Sequence, residues 1–193
     1  MDTIKKRCQW VGSDPLMIDY HDHEWGVPTL DDYKLFEFLV LESAQAGLSW
    51  SIVLNKRENY RKAFSDFNPE KVARFSKSKV ESLLNNPGII RNRLKIEAAI
   101  NNAKLFLKIQ KEFGSFASYS WQFVGGRPII NEWKTLKNIP AKTCESDAFS
   151  ADLKKRGFKF LGSTIIYAHM QAVGMVNDHM KDCFRYNEIK NCA

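Results

Sequence analysis

A chain of 193 residues makes one ordinary domain, or two small lobes, and is long enough to bury a sizeable core. It has no low-complexity segment, no internal repeat and no apolar run of membrane-spanning length, and the basic start MDTIKKRCQW has no apolar stretch behind it. These features predict a cytoplasmic protein with no signal peptide and no membrane partner. The net charge of +7, with Lys and Arg gathered in NKRENYRK (55–62), IIRNRLK (89–95) and KKRGFK (154–159), favours a polyanionic partner.

The elements read as helices almost throughout. Asp31-Asp32 opens a strongly apolar helix carrying Leu35, Phe36, Phe38, Leu39, Leu41 and Ala46, and Gly47 stops it. Residues 49 to about 64 (SWSIVLNKRENYRKAF) read as one helix with a basic outer face. Asn68-Pro69 opens a short helix with Pro at its first position. Ser76 or Ser78 caps the next, which ends near Asn86, and Asn86-Pro87-Gly88 is a turn. A long helix is predicted over 91–113, with Leu94, Ile96, Ala99, Ile100, Ala103, Leu105, Leu107 and Ile109 at helical spacing. Further helices fit 115–124, 146–156 and 163–173, and Gly125-Gly126-Arg127-Pro128 opens an irregular region reaching about Lys142. No sustained period-two pattern appears, so the predicted fold is all-α.

Four metal-type residues are split between the two ends. Cys8 and His21 stand near the start, His179 and Cys183 near the finish. Together they would make a four-coordinate Cys2His2 zinc site, closed to water and therefore structural. His179 and Cys183, at i and i+4, would share one face of a helix. His23 is an alternative to His21 and Cys192 to Cys183, and spacing alone also allows that none of them binds metal. With Cys144 included, the four cysteines of the chain do not resemble a disulfide framework.

Two further features carry chemistry. Glu42 has Leu39, Phe38 and Leu35 at i−3, i−4 and i−7, so it shares the apolar face of its helix. A carboxylate there needs partners or a proton, as a functional group or as one half of a buried pair. Glu37 is explained as a surface residue. A helix over 76–86, the turn NPGII and a second helix starting with Arg91, Arg93 and Lys95 make a helix–hairpin–helix, in which Gly88 lets the backbone approach a phosphate and the helix N-terminus offers free N–H groups. Such a unit grips a DNA backbone without reading bases; an ordinary turn with a solvated basic face fits the residues equally.

The stretches YHDHEWGVP (20–28), LESAQAGLSWSIVLNKRENYRKAF (41–64), GIIRNRLKIEAAINNA (88–103) and KKRGFKFLGSTIIYAHMQAVGMVNDH (154–179) together resemble the 3-methyladenine DNA glycosylase I family, within the helix–hairpin–helix glycosylase superfamily. The resemblance covers nearly the whole chain and is weakest over 125–145 and after Cys183. It implies a single glycosylase domain over 1–193, with the hairpin at about 76–103. It also implies one structural zinc held by Cys8, His21, His179 and Cys183, which decides for His21 over His23. The family's pocket carboxylate falls on Glu42, its pocket tyrosine on Tyr20 and its stacking tryptophan on Trp50, with Trp10 and Trp25 as further pocket tryptophans.

The resemblance further implies double-stranded alkylated DNA as partner and free 3-methyladenine as product, from a monomeric enzyme. Aromatic faces suit a purine made cationic by alkylation, and the base must leave the stack to reach them. Gly47-Leu48 would fill the gap left in the duplex. Many superfamily members carry an aspartate about twenty residues past the hairpin glycine, whereas NAKLFLKIQKEF (102–113) has none and Glu112 stands too late. No lysine is placed for Schiff-base chemistry. The expectation is a monofunctional glycosylase that leaves an abasic site. A broader alkylpurine range including 7-methylguanine stays open, and the competing class is a non-catalytic, zinc-stabilised module that binds damaged DNA.

Overall fold

The computed structural model describes residues 5–191, so Cys192 lies outside the described residues. Eleven α-helices dominate them: α1 (Pro15–His23), α2 (Asp32–Gln45), α3 (Trp50–Asn55), α4 (Arg57–Ala63), α5 (Pro69–Ala73), α6 (Lys77–Leu84), α7 (Arg93–Phe113), α8 (Phe116–Ser120), α9 (Cys144–Lys155), α10 (Ser163–Ala172) and α11 (Phe184–Lys190). Most starts are set by local chemistry. The side chains of Asp14, Asp31, Asn68, Ser76, Asn92, Ser115 and Thr143 each accept a first-turn backbone N–H. Asn92 as the cap explains why α7 begins at Arg93 and not at Arg91.

Three departures from expectation have physical causes. The single helix expected over 49–64 is two, because the chain kinks at Lys56 (φ −99°, ψ −1°). Lys56 there donates to the Pro87 carbonyl at 3.0 Å, which ties the kink to the α6–α7 hairpin. The fold is not purely helical, since Ile129–Ile130 (β1) pairs in parallel with Val176–Asn177 (β2). A strand of two residues shows no periodicity, so only the distant partner creates it. Glu37, expected at the surface, is 3 % exposed and accepts from Arg57 at 2.9 Å and Arg61 at 2.8 Å. Arg57 also grips Glu24 through two bonds of 2.9 and 2.7 Å.

The reason Glu37 is buried is that α2 runs through the middle of the molecule. It is buried without interruption from Leu35 to Ala44 and packs on α3, α7, α8 and α10. On that axis Phe36 meets Phe106 at 5.1 Å and Phe106 stacks on Phe116 at 4.3 Å. Each such pair contributes about 0.5–1.5 kcal/mol beyond its buried area. Asp32 extends the same packing by accepting the N–H groups of Phe116 and Ala117 at the start of α8. The C-terminal part returns to the N-terminal part at Gly174 (φ +74°), where a Cβ would fall 2.3 Å from the Pro28 nitrogen. Only glycine permits that approach, and it brings the two ends of the chain together.

Candidate functional site

Where the ends meet, Cys8, His21, His179 and Cys183 are all buried, with one ligand atom from each lying within 4.8 Å of the others. Cys8 precedes α1, His21 sits in the last turn of α1, and Cys183 caps α11. His179 and Cys183 are not on a helix, as their spacing suggested. They flank a turn closed by the Cys183 N–H on the Met180 carbonyl at 2.8 Å. Cys8 Sγ lies 3.7 Å from His179 Nδ1, and Cys183 Sγ lies 3.4 Å from His21 Nε2 and 3.7 Å from His179 Nδ1. A tetrahedral zinc with Zn–S of about 2.3 Å and Zn–N of about 2.0–2.1 Å sets a sulfur–nitrogen edge of roughly 3.5 Å. The donor set therefore fits that ion in type, number and spacing.

The surroundings orient the donors. The far nitrogen of His21 donates to Asp22 at 2.8 Å, and that of His179 to the Trp25 carbonyl at 3.0 Å. Asp22 is gripped in turn by Arg7 Nε and Nη2 at 2.9 and 2.7 Å, and the Met180 N–H points at Cys8 Sγ at 3.4 Å. Such outer contacts fix the imidazole tautomer and raise its basicity as a ligand. His23 is 73 % exposed on its side chain and pairs with Asp19, away from the cluster.

Beside the cluster opens a cavity of about 350 Å³. Its lining includes every base-pocket residue expected from the sequence: Trp10, Tyr20, Trp25, Glu42 and Trp50. The N-terminal segment and α1 bring Trp10 and Tyr20, α2 brings Glu42, and the start of α3 brings Trp50. Trp10 stands edge-on to Trp25 at 4.9 Å and to His21 at 5.4 Å, so it belongs to both the cluster and the cavity. Tyr20 and Trp50 lie 5.3 Å apart, and Trp50 stacks on Phe38 at 6.3 Å. Glu42 is 2 % exposed, and its Oε2 and the Trp50 indole N–H have no hydrogen-bond partner among the described residues. Burial pushes the Glu42 carboxyl up to about 8.

Residues that the motif did not single out close the cavity from the other side. Tyr167 and Gln171 of α10 line it, as do Leu136, Ile139 and Pro140 of the region that read as irregular. Tyr167 and Gln171 lie one helical turn apart, a spacing that also describes ordinary core packing. The 136–140 residues carry no signal of their own.

The proposed DNA-contacting residues fare differently from one another. Gly47 has φ +80° and, with Leu48 at 38 % exposure, sits on a turn between the cavity residues Gln45 and Trp50. Arg91 and Arg93 are exposed, and Arg93 pairs with Glu81 at 2.9 Å. Lys95, expected on the DNA-facing surface, is half-buried. Its Nζ donates to the carbonyls of Ala44 and Ala46 at 2.8 and 2.6 Å, satisfying the C-terminus of α2. Gly88 has no left-handed backbone, and its N–H donates to Asn86 Oδ1 at 2.8 Å. Glycine is required there because a Cβ would lie 2.9 Å from Asn59. Ile90 N–H donates to the Tyr60 hydroxyl at 3.1 Å, so the hairpin is tied to α4.

Comparison with known proteins agrees with this geometry. The chain is 52 % identical over 181 residues to DNA-3-methyladenine glycosylase 1 of Escherichia coli (strain K12), covering 94 % of this chain and 97 % of that protein. A crystal structure of 3-methyladenine DNA glycosylase I superposes with a TM-score of 0.91 at 54 % identity, covering 93 % of this chain and 98 % of that one. A Tyr-to-Phe variant of such an enzyme, solved in complex with 3-methyladenine, superposes with a TM-score of 0.90 at 39 % identity, covering 92 % and 96 %. The profile of the methyladenine glycosylase family matches residues 10–186. With its aromatic, carboxylate-bearing cavity and this breadth of similarity, the chain belongs to the methyladenine glycosylase family.

Proposed function

We propose that this protein is a base-excision repair glycosylase that extrudes 3-methyladenine from alkylated double-stranded DNA and releases it by hydrolysis, leaving an abasic site. The observation that carries this is Glu42, a carboxyl with an unpartnered oxygen buried among aromatic rings. N3-methylation makes the purine cationic while it is still bound to the sugar. Trp50, Tyr20 and Trp10 offer faces that attract such a ring. Glu42, costly to ionise in the empty cavity, becomes easy to ionise beside that cation and accepts hydrogen bonds from the base edge. An uncharged purine supplies no such compensation, so the cavity selects the lesion by charge as well as by shape.

In the reaction, water adds its oxygen to the sugar C1′ and loses a proton to solvent. The bond from C1′ to the base breaks with its electron pair going to the ring, which becomes neutral. The leaving group needs no added proton, which is consistent with the lack of an aspartate in 102–113. Among the described residues no lysine lines the cavity, which supports the reading of a monofunctional enzyme that does not cut the strand. The exposed turn at Gly47-Leu48 is assigned to fill the gap left by the extruded nucleotide, and Arg91 with Arg93 to contact phosphates beside the hairpin. On this reading the chain is a single helix–hairpin–helix glycosylase domain and a cytoplasmic monomer. Cys8, His21, His179 and Cys183 would hold one zinc, which would cross-link the chain ends behind Trp10 and Trp25 and take no part in chemistry.

The direct test is chromatography of bases released from methylated duplex DNA by the purified, zinc-loaded protein. A dominant 3-methyladenine peak with an uncut strand is the expected result. Release of 7-methylguanine in comparable amount would widen the substrate range. No release from a folded sample would turn the assignment to a damage-binding module, and strand cleavage would overturn the monofunctional mechanism.

A further inference from the structure

Asp178 is 1 % exposed and accepts four hydrogen bonds. Oδ1 receives Asn131 Nδ2 and Trp133 Nε1, both at 2.7 Å. Oδ2 receives the Tyr167 hydroxyl at 2.6 Å and Gln171 Nε2 at 2.7 Å. The two oxygens thus serve two different parts of the fold. Asn131 and Trp133 begin the stretch that continues into the cavity residues Leu136, Ile139 and Pro140, while Tyr167 and Gln171 are cavity residues of α10. This stretch also packs against the hydrophobic core through Ile139. It contains one short turn of helix at Leu136–Asn138, and its other ties to the C-terminal part are the β1–β2 pair, the Lys181 N–H on the Trp133 carbonyl and the Lys181–Glu132 ion pair.

We infer that Asp178 is the positioning residue that fixes the separation of the two cavity walls, and with it which alkylated purines the cavity admits. The inference rests on the glycosylase reading above. A planar carboxylate presenting two oxygens to two pairs of donors holds both walls at once. No neutral side chain of the same size accepts four hydrogen bonds in that arrangement. Loss of one oxygen as acceptor frees one wall while leaving the aromatic faces and Glu42 in place. Displacement of about 1 Å at a reacting centre costs on the order of a hundredfold in rate, and the fit of a single small group in an apolar pocket changes selectivity by roughly 10- to 200-fold.

The test uses full-length, zinc-loaded protein and duplex DNA carrying both 3-methyladenine and 7-methylguanine, with the ratio of the two kcat/KM values measured on each preparation. This ratio is independent of the fraction of folded enzyme, so a merely structural role would leave it unmoved. Asp178→Asn is expected to lower kcat/KM for 3-methyladenine by about 10- to 100-fold, and to raise the relative release of 7-methylguanine by about tenfold. Asp178 adjoins His179, so a second variant separates the inference from any loss of the fold around the Cys/His cluster. Trp133→Phe removes one Oδ1 donor from the other side of the bond, far from the Cys/His cluster in sequence, and is expected to shift the ratio in the same direction. An unchanged ratio in Trp133→Phe, and in Asp178→Asn wherever it folds, overturns the inference while leaving the glycosylase reading intact. Wild-type protein that releases neither base overturns both.

Discussion

Replacement of Glu42 by Gln is expected to stabilise the fold increasingly as pH rises. The buried carboxyl titrates at about 8, against its ordinary 4.5, because the cavity disfavours its charge. The folded state therefore holds the proton more tightly than the unfolded chain does. That preference is intact below pH 4.5, is lost as pH rises towards 8, and is gone above it. From the two values the ionisable side chain costs the fold about 2 kcal/mol at pH 6, about 3 at pH 7 and about 4 at pH 8. Gln cannot ionise, and the penalty of burying its amide is the same at each pH. The stability gap between Glu42→Gln and wild type should then widen by about 2 kcal/mol between pH 6 and pH 8, or roughly 4–8 °C in Tm for a chain of this length. Calorimetric melting of both zinc-loaded proteins across that range reads the gap directly. Parallel Tm curves would refute the reasoning, since they would mean that the carboxyl ionises normally and that burial confers no charge selectivity. The same variant should lose most of its glycosylase activity, so the residue trades stability for function.

Four other outcomes follow from particular contacts. Elemental analysis should find one zinc per chain, and Cys183→Ser or strong chelation should lower Tm; a metal-free protein that melts like the native one would remove the structural assignment. Leu48→Ala should lower kcat/KM on duplex DNA by about tenfold if the side chain fills the vacated stack, with binding of free 3-methyladenine, followed by tryptophan fluorescence, unchanged. Equal loss in both assays would place Leu48 in the cavity instead. Arg91→Ala should reduce the slope of log affinity against log salt by about one. Lys95→Met should leave that slope alone and lower Tm, because Lys95 satisfies the Ala44 and Ala46 carbonyls; the reverse pattern would restore Lys95 to the DNA surface.

Much of this protein is legible in its residues alone. Helices with strong apolar periodicity, such as α2 and α7, are local consequences of nearby residues; α2 starts where Asp31 caps it, as expected, whereas α7, expected from Arg91, starts two residues later because Asn92 caps it. The apolar neighbours of Glu42 already mark it as an anomaly, because a helix places i−3, i−4 and i−7 on one face. What the chain could not reveal locally are matters of distance. The burial of Glu37 follows from α2 being enclosed on every side, and the role of Lys95 from two carbonyls at the far end of another helix. The parallel β1–β2 pair and the four bonds to Asp178 join segments that neither periodicity nor spacing connects. The sequence by itself determined where most helices form and marked Glu42 and the Cys8, His21, His179, Cys183 set as candidates. Only the tertiary structure decided which of them meet, because buried polar groups must find partners wherever the packed chain brings donors and acceptors together.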